Sequence, residues 1–109
     1  MCRALKVLCV AEDDDTLRAL KRAAVSVEWE LTDGATNEPD AIGRIDAERP
    51  HVLVVFGPFE RLIALARDRF PGMRIVTDRD APGATVVASS LEEVRGLVRG
   101  FPRPGGPVG

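Results

Sequence analysis

Leu5-Lys6-Val7-Leu8-Cys9-Val10-Ala11-Glu12-Asp13-Asp14-Asp15-Thr16-Leu17-Arg18 is the stretch whose reading decides the fold. Leu5 to Ala11 is almost wholly apolar, with no alternation of wet and dry positions. That is the pattern of a strand buried on both faces, as in parallel sheets covered by helices. The acids Glu12–Asp15 stop it. From Thr16 to Val25 the apolar residues Leu17, Leu20 and Ala24 recur at helical spacing, and Asp14 or Asp15 is placed to cap the first turn. A buried strand running through an acidic turn into a helix is the first half of a β-α-β unit.

Working outward, strands and helices go on alternating. Val27, Trp29 and Leu31 interleave with Glu28, Glu30 and Thr32, which predicts a second strand with one dry and one wet face, as at a sheet edge. Asp33-Gly34 reads as a turn. Asn37, Pro39 and Asp40 start a second helix that turns Ala41, Ile42 and Ile45 inward and ends before Pro50. Val52–Phe56 is continuously apolar and predicts a central third strand. Gly57-Pro58 breaks it and opens a third helix with Phe59, Leu62, Ile63, Ala66 and Phe70 on one face. After Pro71-Gly72, Met73–Thr77 and Ala84–Ala88 predict strands four and five. Ser90 with Glu93 forms a candidate capping box for a last helix buried through Leu91, Val94, Leu97 and Val98.

Only Asp78–Gly83 links strands four and five, against the dozen or so residues that a helical crossover takes. The fourth helix is therefore expected to be missing or shortened. Six residues still span roughly 20 Å when extended, so a parallel fifth strand is reachable and a reversed one stays open. Residues 1–101 read as one α/β domain and the Pro/Gly-rich segment 102–109 as a disordered tail.

Composition sets the outer limits. A chain of 109 residues holds one core, and 45% apolar with 29% charged residues is ordinary for a globular domain. A net charge of −2 with interspersed signs argues against direct nucleic-acid binding. No apolar run approaches the roughly 18 residues of a membrane span, and Met1–Val10 lacks the layout of a secretory signal, which leaves the cytoplasm as the expected compartment. Cys2 and Cys9 form neither a redox nor a zinc motif, and Cys9 falls within the first strand.

Leu8-Cys9-Val10-Ala11-Glu12-Asp13-Asp14-Asp15-Thr16-Leu17-Arg18 resembles the opening of receiver domains of bacterial response regulators, in which a buried strand delivers two acids that hold Mg²⁺. Glu12 and Asp13 match that pair. Ala35–Ile42 is similar to the family's second loop and helix, and Arg49–Val55 to its third strand. The resemblance implies a flavodoxin-like, receiver-like fold: a five-stranded parallel sheet with helices on both faces. It also exposes departures. The phosphate-accepting aspartate of the family matches Phe56, and the lysine after its fifth strand is replaced in Val87-Ala88-Ser89-Ser90. Thr77 matches the hydroxyl residue that reports phosphorylation. The chain thus looks like an aspartate-less pseudo-receiver with a degenerate pocket of Glu12, Asp13, Phe56, Thr77 and Ser89.

Other chemistry finds little footing. Sites in such sheets lie at the carboxyl ends of the strands, where Glu12–Asp15, Phe56-Gly57-Pro58, Thr77–Asp80 and Ser89-Ser90 gather. Glu12 and Asp13, with Asp78 or Asp80, offer hard oxygen ligands for weak Mg²⁺ or Ca²⁺ binding, but the set is thin and also serves as a solvated, helix-capping rim. No cofactor or resident metal is expected. His51 precedes strand three and belongs at the opposite edge, so no Ser/His/Asp set forms and no catalytic residue is assigned. Acids occupy the turn where a phosphate loop would be. Phe56 and Trp29 are expected in the core, Phe56 as an apolar plug in the former pocket. The reading is a phosphorylation-independent signalling module, not an enzyme, that binds a protein partner or itself. Its alternative is gating by a small-molecule ligand at the acidic pocket.

Overall fold

A computed structural model of the chain describes residues 5–27, 29–32, 34–79, 81 and 83–100. The strands are β1 (Leu5–Ala11), β2 (Trp29–Leu31), β3 (Val52–Phe56), β4 (Arg74–Thr77) and β5 (Val86–Val87). The helices are α1 (Asp14–Ala24), α2 (Glu38–Glu48), α3 (Glu60–Arg69) and α4 (Leu91–Arg99). One five-stranded sheet runs in the order β2-β1-β3-β4-β5, and every pair in it is parallel. The predicted fold class is therefore the observed one, with β3 central and β2 at an edge. The expected tail, 102–109, lies outside the described residues.

Alternation along the strands sorts the core into two layers. Leu5, Val7, Cys9 and Ala11 of β1, with Val52, Val54 and Val76, pack under Leu20 and Ala24 of α1 and Val94 and Val98 of α4. Leu8 and Val10, with Leu53, Val55 and Ile75, pack under Ala41 and Ile45 of α2 and Leu62, Ile63 and Ala66 of α3. Both faces of β1 and β3 are thus apolar and covered, which is why neither strand shows a polar/apolar rhythm.

The fifth strand is parallel, and shorter than Ala84–Ala88. The ladder extends one bond past each end, Thr85 N–H to Ile75 O and Ala88 N–H to Thr77 O, both at 2.8 Å. No helix stands between β4 and β5 among the described residues. Ala81 takes its place, buried within the α2/α3 layer, and a Cβ on Gly83 would lie 3.4 Å from the Arg67 side chain of α3. The link itself therefore covers part of the surface that a fourth helix would otherwise cover.

One local expectation, the start of β2, is corrected. β2 begins at Trp29, opposite Leu5, and Val27 is fully exposed outside it. The cause is the Trp29 indole, buried with its Nε1–H donating to Ala24 O at 2.7 Å, which anchors the strand to the end of α1. Of the expected Asp33-Gly34 turn, Asp33 lies outside the described residues, and the chain rejoins the sheet directly after Gly34. Thr32 N–H bonds Val7 O, Ala35 N–H bonds Cys9 O, and Ala11 N–H bonds Ala35 O, so the edge is interrupted and then resumes at Ala35.

Because each helix follows a parallel strand, all four start at the carboxyl edge of the sheet and end at the amino edge. Their first turns carry Asp14, Asp15, Glu38, Asp40, Glu60, Glu92 and Glu93. The last turns of α1, α3 and α4 carry Lys21, Arg22, Arg67, Arg69 and Arg99. Each set complements the helix macrodipole at its end. Among the described residues no helix is long and apolar enough to cross a membrane.

Cys9 reports directly on the double burial of β1: desolvation pushes its thiol up to about 12, against a smaller lowering effect from Lys21. In a Cys2→Ser variant, the remaining thiol should stay unmodified by 5,5′-dithiobis(2-nitrobenzoate) at pH 8 and react only as the protein unfolds in denaturant. Labelling within the mixing time would mean that β1 is not enclosed.

Candidate functional site

The carboxyl edge brings together the ends of β1, β3, β4 and β5, and there the chain assembles a hydrogen-bonded cluster. At its centre is Gly57, the residue after β3. Its φ of +127° suits glycine alone, and a Cβ there would fall 2.6 Å from Cγ of Glu12 and 3.1 Å from Cε2 of Phe59. The missing side chain lets the Glu12 stem cross the start of the loop to α3. The Gly57 N–H donates to Asp78 Oδ1 at 3.1 Å, and Arg79 forks onto the same carboxylate, Nε to Oδ1 at 3.2 Å and Nη2 to Oδ2 at 3.3 Å. A backbone amide and a guanidinium thus converge on one acid just past β4. Partial burial pushes the Asp78 carboxyl up, but the bonds from Arg79 and Gly57 and the Arg79 charge outweigh it and hold it below the usual range.

The residues singled out from sequence fall around this cluster with different parts to play. Asp13 is the N-cap of α1, its Oδ1 accepting the Thr16 N–H at 2.7 Å, and that bond holds its carboxyl below the usual range. The cap expected of Asp14 or Asp15 belongs to Asp13, because only the residue with extended backbone ahead of the helix can turn its side chain back to the third amide. Both Glu12 and Asp13 are exposed. Among the described residues no group of three or more His, Cys, Asp or Glu is placed to hold a metal ion, and Asp80 lies outside them.

Phe56 is half-buried, its ring packed on the α1/α4 layer and not fully enclosed. Thr77 is completely buried, and its Oγ1 has no hydrogen-bond partner among the described residues. Ser89 is exposed and gives its N–H to Glu93 Oε1. This alters the predicted capping box. Ser90 is the N-cap of α4 but makes no side-chain cap bond, and Glu93 reaches back past it to Ser89. His51 sits at the opposite edge, its Nδ1 accepting the Lys6 N–H at 3.0 Å and its own N–H donating to Lys6 O at 2.9 Å, so it ties β1 to the start of β3.

Sequence reasoning placed Gly57 and Arg79 at this edge but gave neither a part in the site. The available signal was an acid followed at once by a base, directly after a buried strand, facing a glycine directly after the neighbouring strand.

Neither a protein-family profile nor a curated protein sequence matches the chain. Solved structures do. The chemotaxis response regulator CheY4 of Vibrio cholerae superposes with a TM-score of 0.71 at 14% identity, over 89% of this chain and 98% of that one. HP1043, an orphan response regulator of H. pylori, gives 0.68 at 9% identity, over 87% and 93%. The isolated REC domain of RcsB from Salmonella enterica serovar Typhimurium, solved with the phosphomimetic BeF3−, gives 0.59 at 19% identity, over 73% and 66%. The fold is that of a receiver domain. On a receiver fold, the Gly57–Asp78–Arg79 cluster occupies the carboxyl edge, where the resemblance had pointed for the degenerate pocket.

Two outcomes follow from this geometry. Gly57→Ala should destabilise the protein by roughly 1–3 kcal/mol in urea denaturation, since both φ and the Glu12 stem oppose a side chain; a neutral result would mean that the loop is not held in this conformation. Asp78 has a lowered folded-state pKa, so its charge contributes stability above the unfolded value of about 3.9, and that contribution disappears as pH falls through the lower folded value. The stability gap between the parent and Asp78→Asn should therefore be widest above about pH 4 and close in stronger acid. A gap that does not change with pH would remove the carboxylate from the latch.

Proposed function

We propose that the chain is a phosphorylation-independent receiver-like regulatory module, acting by binding a protein partner or a second copy of itself and performing no catalysis. The observation that carries the reading is Phe56. A phosphoryl acceptor at the end of the central strand must be a carboxylate facing water and a cation; here that place holds a ring packed on the α1/α4 layer. Two neighbours point the same way. The Gly57 N–H beside it is already engaged by Asp78, and the position after β5 is Ser89-Ser90, with no lysine. Two acids of this edge, Asp13 and Asp78, are engaged as hydrogen-bond acceptors with lowered pKa, which makes each a weaker nucleophile.

Incubation with acetyl phosphate and Mg²⁺ should leave the intact mass unchanged. A stable gain of one phosphoryl group, mapped to Asp13 or Asp78, would overturn the reading and make the chain a receiver with a displaced acceptor.

One observation favours gating by a small molecule instead: the buried hydroxyl of Thr77 lacks a partner within the described residues. An unsatisfied buried hydroxyl costs about 1–3 kcal/mol, so Thr77→Val should raise stability by about 1 kcal/mol if nothing ever bonds that oxygen. A valine variant that is less stable, together with a parent whose melting temperature rises in metabolite extracts while the variant's does not, would favour the ligand-gated reading.

A further inference from the structure

The amino edge of the sheet, opposite the cluster just described, holds a cavity of about 470 Å³. Its floor is apolar: Leu5 and Val52 at the starts of β1 and β3 and Met73 just before β4 are buried, and Phe70 forms part of the wall. The mouth is cationic, because the ends of α2 and α3 and the start of β4 bring Arg49, Arg69 and Arg74 to the same opening. A volume of this size, mostly apolar with a few convergent charges, falls within the roughly 300–1,000 Å³ typical of small-molecule sites.

The charges at this mouth are not balanced from within. Asp46 is held by Arg69 at 3.0 Å, and Glu48 by Arg44 at 3.4 Å. The guanidinium groups of Arg49 and Arg74 have no hydrogen-bond or ion-pair partner among the described residues. The carbonyl ends of α2 and α3 work against an anion here: Ile45 O, Ala66 O and Phe70 O accept the N–H groups of Arg49, Phe70 and Met73, and Glu48 O accepts the Lys6 ammonium at 3.5 Å, which leaves the arginine charges to outweigh the rest.

The backbone at Arg49 adds an independent sign. It has φ +46° and is the one non-glycine residue with positive φ among those described. A left-handed residue at a helix end is ordinarily glycine, since a Cβ crowds the following carbonyl there. Strain of this kind clusters at binding sites, and Arg49 is one of the residues that line the cavity.

We propose that this cavity is a binding site for a small organic anion, a carboxylate or phosphate ester on an aromatic or branched apolar body. Arg49 and Arg74 hold the charge, and the floor of Leu5, Val52 and Met73 takes the body. The site lies at the far edge from Phe56 and Thr77, so it stands or falls apart from the reading of the carboxyl edge.

The test is a titration of the ¹⁵N-labelled full chain with 2-naphthoate, phenyl phosphate, inorganic phosphate and neutral 2-naphthamide. The expected result is saturable shifts of the His51, Phe70 and Arg74 amides with naphthoate or phenyl phosphate, and at least roughly tenfold weaker binding of inorganic phosphate and naphthamide. Whichever organic anion binds names the acid class. Arg74→Gln should weaken it by about tenfold. Arg49→Gly should do the same while leaving the melting temperature at or above the parent's, a pairing of effects that a merely structural arginine would not give. The proposal is overturned if neither organic anion shifts these amides, if naphthamide or inorganic phosphate binds equally well, or if both variants keep the parent's affinity.

Discussion

Every element of this domain answers to the parallel pairing of β1 with β3 and of β3 with β4. Parallel strands cannot be joined by hairpins, so each must leave the sheet at one edge and return to the other. The return path has to cover apolar side chains on whichever face it crosses. α1 and α4 cover one face and α2 and α3 the other. Where the chain spends only a short link between β4 and β5, the cover shrinks to Ala81 lying with α3, and β5 shrinks with it. A strand this short, exposed at Val87 on its outer side, makes the β5 end the thinner margin of the sheet.

The same topology decides where chemistry can gather. All crossovers begin at the carboxyl edge, so the four segments that leave the strands there meet. What they build is a lock between adjacent loops. Gly57 and Asp78 come from different crossovers, and their bond ties the loop entering α3 to the loop leaving β4, with Arg79 neutralising the acid that does the tying. This edge thus supplies a fixed carboxylate of its own, bonded to the residue that follows Phe56 at the end of β3.

Much of the fold was legible in the sequence because burial on both faces leaves a mark that survives without context. The unbroken apolar runs of β1 and β3 located the sheet, and the spacing in α1 and α3 placed the layers. The misreadings fall where a side chain's direction matters more than its type. Asp13, Asp14 and Asp15 are identical in kind, and only backbone geometry says which one caps α1. Val27 and Trp29 alternate as a strand should, yet the indole bond to Ala24 starts β2 at Trp29. At the carboxyl edge, Phe56, Thr77 and the acids could be assigned to one place by topology. The pairing of Asp78 with Gly57 could not, because residues 21 apart meet only once register is known. The strain at Arg49 was hidden for a related reason: Pro50 marks the end of α2 but not the conformation by which it ends.

The parallel helices also give the molecule a polarity that its net charge of −2 conceals. Acidic first turns collect at one end of the strand axis and the basic last turns of α1, α3 and α4 at the other, so these three helices give the domain a permanent dipole. In the field of a charged surface such a body feels a torque before it feels contact. A cationic partner meets the Phe56 edge first, and an anionic one meets the arginine mouth. Orientation on approach is therefore set at a distance of about one Debye length, roughly 8 Å in physiological salt, and added salt weakens it while leaving every contact within the domain in place.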